Sequence, residues 1–314
     1  MNAATATIDQ PGVYDIPVDR YLADPVAGGS LSSSGARKLL PPSCPAKFKQ
    51  WLDEGSEHIR EYDIGHGAHR LVLGTGPELV VIDADGYRTK AARAARDEAY
   101  AAGAVPLLAA DAELVHAMAD ALREHPVASA LFAPGSGQPE QTLVWFDQRH
   151  GVRRRALVDW LRCPPPGGQL IVPDYKSAKS ADPDAISKAI DQYGYDQQLA
   201  WYLDGVQALG LAGDVEPAAV LVVQETAPPY LITVVQLDVV ALERGQLRNQ
   251  QALTVYRQCR ATDRWLDYAE YRHYRETGDW PGNSTPIVLI GLPPWAERQH
   301  EIALERGDYE LGDS

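Results

Sequence analysis

Residues 163–168, CPPPGG, constrain this chain most. Three consecutive prolines have no backbone N–H to give to a helix or a ladder, and the two glycines after them favour a reversal. No regular element can run through. On one side residues 154–162, RRALVDWLR, are apolar and branched enough for a strand; on the other, residues 170–176, LIVPDYK, extend again. The pair reads as a hairpin with Asp159 in its first strand and Asp174 and Lys176 in its second.

Side chains two apart on a strand share a face, so Asp174 and Lys176 project together, and the hairpin brings Asp159 beside them. Two carboxylates at one point repel unless a cation sits between them. Hard divalent ions take oxygen ligands and are held by one or two carboxylates plus substrate phosphate. A lysine beside them can hold the scissile phosphate or polarise the attacking water. This is the chemistry of metal-assisted phosphodiester hydrolysis. Lys176 reads as an exposed strand lysine, whose removal would leave the fold intact. Pro173 lacks a donor just before Asp174, which fits a bulge or a strand end.

Other elements bear on this site. Residues 141–147, QTLVWFD, alternate as a strand and, with the hairpin, make a three-stranded meander. Arg153 and Arg155 match Asp159 in parity, so they either lead phosphates toward it or solubilise an edge. Residues 62–73, YDIGHGAHRLVL, read as a helix despite two glycines, with His66 and His69 on one face. On spacing alone such histidines pack or cap as readily as they bind metal. Asp182 caps a helix that runs to residue 209, with a kink at Gly194. Gln198 and Tyr202 share a face of it, either orienting ligands or satisfying each other in the interior. Residues 218–224 and 231–237 add two apolar strands, and one or two long helices fit 239–277.

These residues resemble a known family. Asp159 followed by Pro173-Asp174-Tyr175-Lys176 is similar to the D…(D/E)-x-K signature of the PD-(D/E)xK nucleases. Gly65-His66-Gly67-Ala68-His69 is similar to the upstream G-x-x-x-H of the RecB-like branch, and Gln198 to Tyr202, QLAWY, to its downstream Q-x-x-x-Y. Four pieces in the right order are more specific than D-x-K alone. The resemblance is closest to phage and prophage exonucleases of the RecE (exonuclease VIII) type, and runs from about Ser30 to the LPPWA segment.

The resemblance implies an α/β fold, a central mixed β-sheet flanked by helices with a restriction-endonuclease-like core. It implies that His69, Asp159, Asp174 and the Tyr175 carbonyl hold Mg2+ or Mn2+, and that Lys176 positions or activates water. Glu140 is the extra acidic residue that such enzymes often carry, and Gln198 joins the catalytic set. Arg153, Arg155, Lys179 and Tyr202 are expected to contact DNA. The implied activity is 5′-to-3′ degradation of linear double-stranded DNA from its ends, leaving 3′ single strands for a RecT-type annealing protein in phage recombination. A ring-like homo-oligomer goes with it. The alternatives are a structure-specific or RecB/Cas4-like endonuclease, and a non-catalytic DNA-binding protein of the same fold.

Composition sets bounds on this. The formal charge of −14 opposes DNA binding unless a local basic track provides it. Candidates are Arg37, Lys38, Lys47 and Lys49, the 153–155 arginines, and Lys176, Lys179 and Lys188. Three scattered cysteines suit a reducing cytoplasm, here that of a bacterial host, and are too few for the iron–sulfur cluster of some RecB-like relatives. The start, MNAATATIDQPG, has no basic or apolar signal core, and no apolar run is of membrane-span length. We expect an extended arm over residues 1–29 and one nuclease domain over 30–314.

Overall fold

The computed structural model describes residues 7–55, 63–164, 166–282 and 287–309. Tyr62, Pro165 and residues 283–286 of the tail lie outside them. The chain divides into two units, Met1–Trp265 and Leu266–Ser314. Among the described residues no helix is long and apolar enough to cross a membrane.

In chain order the first unit contains β1 (Gly12–Tyr14), α1 (Val18–Leu22), β2 (Leu31–Ser32), α2 (Ser33–Lys38), α3 (Pro45–Glu54), α4 (Asp63–Leu73), β3 (Leu79–Ile82) and α5 (Lys90–Ala101). Next come β4 (Val105–Leu108), α6 (Ala109–Glu124), α7 (Pro126–Leu131), β5 (Gly137–Asp147), β6 (Val152–Arg162) and β7 (Ile171–Ala178). It closes with α8 (Pro183–Tyr193), α9 (Tyr195–Ala208), β8 (Ala218–Glu225), β9 (Ile232–Gln236) and α10 (Val239–Thr262). The second unit holds α11 (Tyr268–Thr277), started by an Asp267–Glu270 capping box, and α12 (Pro294–Arg306).

The fold is mixed α/β, a central mixed sheet flanked by helices, as expected. One part has the order β1-β5-β6-β2, with β2 parallel to β6 and the other pairs antiparallel. The other has the order β7-β8-β9, with β7 parallel to β8 and β8 antiparallel to β9. A separate parallel pair joins β3 to β4. The main core lies under α4, α6 and α7, where Leu73, Leu107, Met118, Trp160 and Val222 pack. On the other face, Trp201 of α9 is fully buried. Arg154 lies between indoles, its guanidinium carbon 3.8 Å from the Trp201 ring and 4.7 Å from the Trp145 ring, and ion-pairs with Asp204 at 2.8 Å.

Several expectations need correction. The proposed hairpin is not a ladder: β6 and β7 run side by side, but no backbone pairing joins them among the described residues. The Tyr175 N–H points toward β6 and donates to the Asp159 carboxylate at 2.7 Å, taking up a side chain where a ladder carbonyl would stand. By strand alternation residue 173 would offer its N–H on the same side, and Pro173 has none to offer. Pro173 itself sits inside β7, opposite Val220. The helix over 182–209 is two helices, because Gly194 takes φ 66 and breaks it. β4 was not foreseen, since Pro106 lies within four residues of apolar chain. The segment before Ser30 is not simply extended: β1 adds to the edge of β5, and α1 follows.

Candidate active site

β5, β6, β7 and α4 meet where β6 and β7 adjoin. On the β5–β6 ladder Pro139 faces Trp160 and Gln141 faces Val158, so Glu140 falls directly opposite Asp159. Like charges facing each other across a ladder are destabilising. Glu140 also has φ 47, a left-handed conformation that costs a non-glycine residue about 1–2 kcal/mol. His69 stands against both carboxylates, with Nε2 3.3 Å from Asp159 Oδ1 and Nδ1 3.7 Å from Glu140 Oε1.

The two glycines of α4 explain how His69 arrives there. Each costs the helix about 1 kcal/mol relative to alanine. A Cβ on Gly65 would fall 3.0 Å from Ser177 Oγ of β7, and one on Gly67 3.1 Å from Leu107. Their absence lets α4 lie close against the sheet, one turn before His69. His66, three residues before His69, is exposed.

Asp174 is fully buried, at 0% exposure. Its Oδ1 accepts from Gln198 Nε2 at 3.3 Å. Its Oδ2 ion-pairs with Lys176 Nζ at 2.5 Å. The same Gln198 amide donates to the Tyr202 hydroxyl at 2.7 Å. Lys176 also lies over the Tyr195 ring, 5.3 Å from its centre. On the far side of β7, the Tyr175 hydroxyl donates to Gln224, whose amide donates to the Met118 carbonyl.

The charges are strongly coupled. Burial pushes Asp174 from an ordinary 3.8 up to about 6, with Lys176 opposing and Asp159 reinforcing the rise. Glu140 is raised by burial. Asp159 goes the other way: burial would raise it, but His69, Lys176 and the Tyr175 N–H hold it low. Burial alone would lower His69 and Lys176, yet the carboxylates around them keep both raised. Lys176 therefore stays an ammonium. It is mostly buried and paired, not the exposed strand lysine the sequence suggested, and removing it exposes the fold to an uncompensated Asp174.

The donors suit a hard or borderline divalent cation: three carboxylates, an imidazole and the Tyr175 carbonyl beside them. Three carboxylates meet one ammonium and one imidazole there, and that excess of negative groups is the observation that favours such an ion. Among the described residues no three His, Cys, Asp or Glu side chains already stand at closed coordination spacing. His69 and Asp159 instead satisfy each other.

The structure brings His69, Glu140, Asp159, Asp174, Tyr175, Lys176 and Gln198 together. Lys179 is exposed just past β7. Arg155 is not brought there: it is 4% exposed and turned to the N-terminal segment, pairing with Asp24 at 3.0 Å and bonding Ser30. Arg153 donates to the Ala27 carbonyl. Tyr202 is buried and supports Gln198 rather than facing solvent. One participant was not read from the sequence as part of the site. Arg37 of α2 comes within electrostatic range of Asp174 and donates to the Tyr193 carbonyl; Gly194 leaves the room, since a Cβ there would lie 2.9 Å from Arg37 Cδ.

Residues 40–277 match a family described as a PDDEXK-like domain of unknown function (DUF3799). Among solved structures, one of a "putative exonuclease" from Eubacterium rectale is similar with a TM-score of 0.51 and 10% identity, covering 86% of this chain and 92% of that one. At that identity the likeness is one of fold. No curated protein matches the chain.

Proposed function

The chain belongs to the PDDEXK-like family DUF3799, and on that premise we propose that it is a divalent-metal-dependent nuclease acting on the ends of linear duplex DNA. The observation that carries this reading is the convergence of His69, Glu140, Asp159, Asp174 and Lys176 from four separate elements onto one point between β6 and β7. The order of the four sequence pieces supports the RecE-type activity, 5′-to-3′ degradation that leaves 3′ single strands. That activity would serve a RecT-type annealing partner, and a ring-like oligomer would keep the enzyme on its substrate.

His69, Asp159, Asp174 and the Tyr175 carbonyl would hold Mg2+ or Mn2+, with Glu140 beside them. When bound, the ion supplies Lewis-acid charge to the phosphoryl oxygens and lowers the pKa of a bound water. Lys176, kept protonated, donates to the attacking water or to a non-bridging phosphate oxygen. It stabilises charge that grows in the transition state and does not act as the base. Gln198 fixes the rotamer of Asp174 through Oδ1, and Tyr202 fixes Gln198. Asp159 both faces His69 and holds β7 in place through the Tyr175 N–H.

The test compares linear with covalently closed circular duplex DNA, in magnesium and in chelator, for wild type and Asp174→Ala. Magnesium-dependent loss of the linear form alone, absent in the variant, is expected. Cleavage of the circle would replace the exonuclease with an endonuclease. No degradation by folded wild type would overturn the enzyme reading.

A further inference from the structure

Away from this site the first unit has an open cleft of about 690 Å3 lined by arginines. Its walls are the β5–β6 turn region, the 27–29 segment and the last turns of α10. The volume falls within the range of ligand sites, about 300–1,000 Å3. Arg153, Arg257 and Arg260 line it, and among the described residues none of the three is paired with a carboxylate. On a chain of net charge −14 such a cluster stands out.

Two of the guanidiniums are fixed. Arg153 donates to the Ala27 carbonyl, and Arg260 to the Gly28 carbonyl at 3.0 Å and the Tyr256 hydroxyl at 3.3 Å. Each bond uses part of a five-donor fork and leaves the rest to a ligand. Arg257 is exposed. Asp24, the carboxylate near Gly29, is already held by Arg155 at 3.0 Å and by Ser30.

The cleft also contains an aromatic face. Phe146 is 43% exposed, lines the cleft, and lies directly opposite Arg153 on the β5–β6 ladder. Both also line a smaller neighbouring cavity of about 260 Å3, where Asp9 is the acidic group. An exposed ring flanked by fixed arginines is how proteins hold single-stranded nucleic acid: phosphates lie on the cations and a base stacks on the ring. Arg153 lies six positions before Asp159 on β6 with the same parity, which puts the cleft about 20 Å from the candidate active site.

We propose that this cleft binds a single-stranded segment of the nucleic acid, with a base on Phe146 and phosphates on Arg153, Arg257 and Arg260. The idea rests on the nuclease reading, since a nuclease that resects one strand of a duplex generates such a segment.

The experiment measures binding of a fluorescent oligothymidine by anisotropy, with the full chain in chelator so that nothing is cleaved. Phe146→Ala should weaken binding about 5- to 150-fold, the range for loss of one stacked base. Arg257→Gln with Arg260→Gln should lower the slope of log K against log salt by about 1.4, or about 0.7 per phosphate contact. Arg257→Gln alone, at an exposed position, gives half that change without risk to the fold. Wild-type affinity and slope in all three variants would overturn the proposal, as would failure of wild type to bind the oligonucleotide. Degradation of linear duplex is scored separately, so the cleft can fail while the nuclease reading stands.

Discussion

Asp174→Asn probes the charge balance of the site directly. Burial raises the Asp174 pKa from 3.8 to about 6. That rise corresponds to on the order of 3 kcal/mol against the charged form. Its sign follows from linkage. A group with a raised folded pKa gives stability that is complete below its unfolded value and is lost as pH rises through its folded value. Without metal, the Asp174 contribution is therefore present below pH 3.8 and gone above about 6. A divalent ion compensates the charge at neutral pH and competes with the proton below about 6. Magnesium at a hundred times its Kd stabilises by about 2.7 kcal/mol, or roughly 5–10 °C in Tm for a domain of this size. The assay is calorimetric Tm in magnesium and in chelator, at about pH 7.5 and about pH 5. Wild type should show the shift at the higher pH and lose most of it at the lower. Asp174→Asn should show little shift at either. A wild-type shift that ignores pH, or one that survives in Asp174→Asn, would refute the reasoning.

Two further outcomes are expected. Lys176→Ala should abolish cleavage and cost about 3–5 kcal/mol in metal-free urea unfolding, because it strands a buried carboxylate; adding Asp174→Asn should recover part of that loss, and no recovery would mean that Lys176 acts through packing. Gly65→Ala should help the isolated helix by about 1 kcal/mol yet lower cleavage, since its Cβ meets Ser177 Oγ at 3.0 Å; Ser177→Gly in the same chain should restore activity, and undiminished cleavage by Gly65→Ala alone would show that His69 does not depend on this close approach.

The fold class was legible because the apolar runs on either side of CPPPGG read as strands and the Asp182 cap and Gly194 mark a helical stretch after them. The four site pieces were legible in order but not in geometry. Parity placed Arg155 with Asp159 correctly along β6, yet it could not show that Asp24 and Ser30, far away in sequence, would fold over and bury it. Tyr202 shared a face with Gln198 as expected, but whether that face met solvent or protein is a tertiary fact. Glu140 was read as lying just before a strand. It belongs inside β5, and only the register shows it facing Asp159. The break at Gly194 was seen as a kink; its use in admitting Arg37 depends on α2, which no local pattern connects to it.

The missing ladder between β6 and β7 changes how substitutions here should be interpreted. In a continuous sheet many backbone bonds fix the alignment of two strands, and no single side chain matters to it. Here, among the described residues, one carboxylate–amide bond, Asp159 to Tyr175, fastens the candidate-site end of β7 to its neighbour. Asp159 is thus a latch as well as a candidate ligand, and any variant at that position loosens the alignment of Asp174 and Lys176 together with the chemistry. Asp174, whose carboxylate bonds the Gln198 side chain and pairs with Lys176, separates the two effects, and the amide-exchange rate of Tyr175 is the gauge that tells them apart.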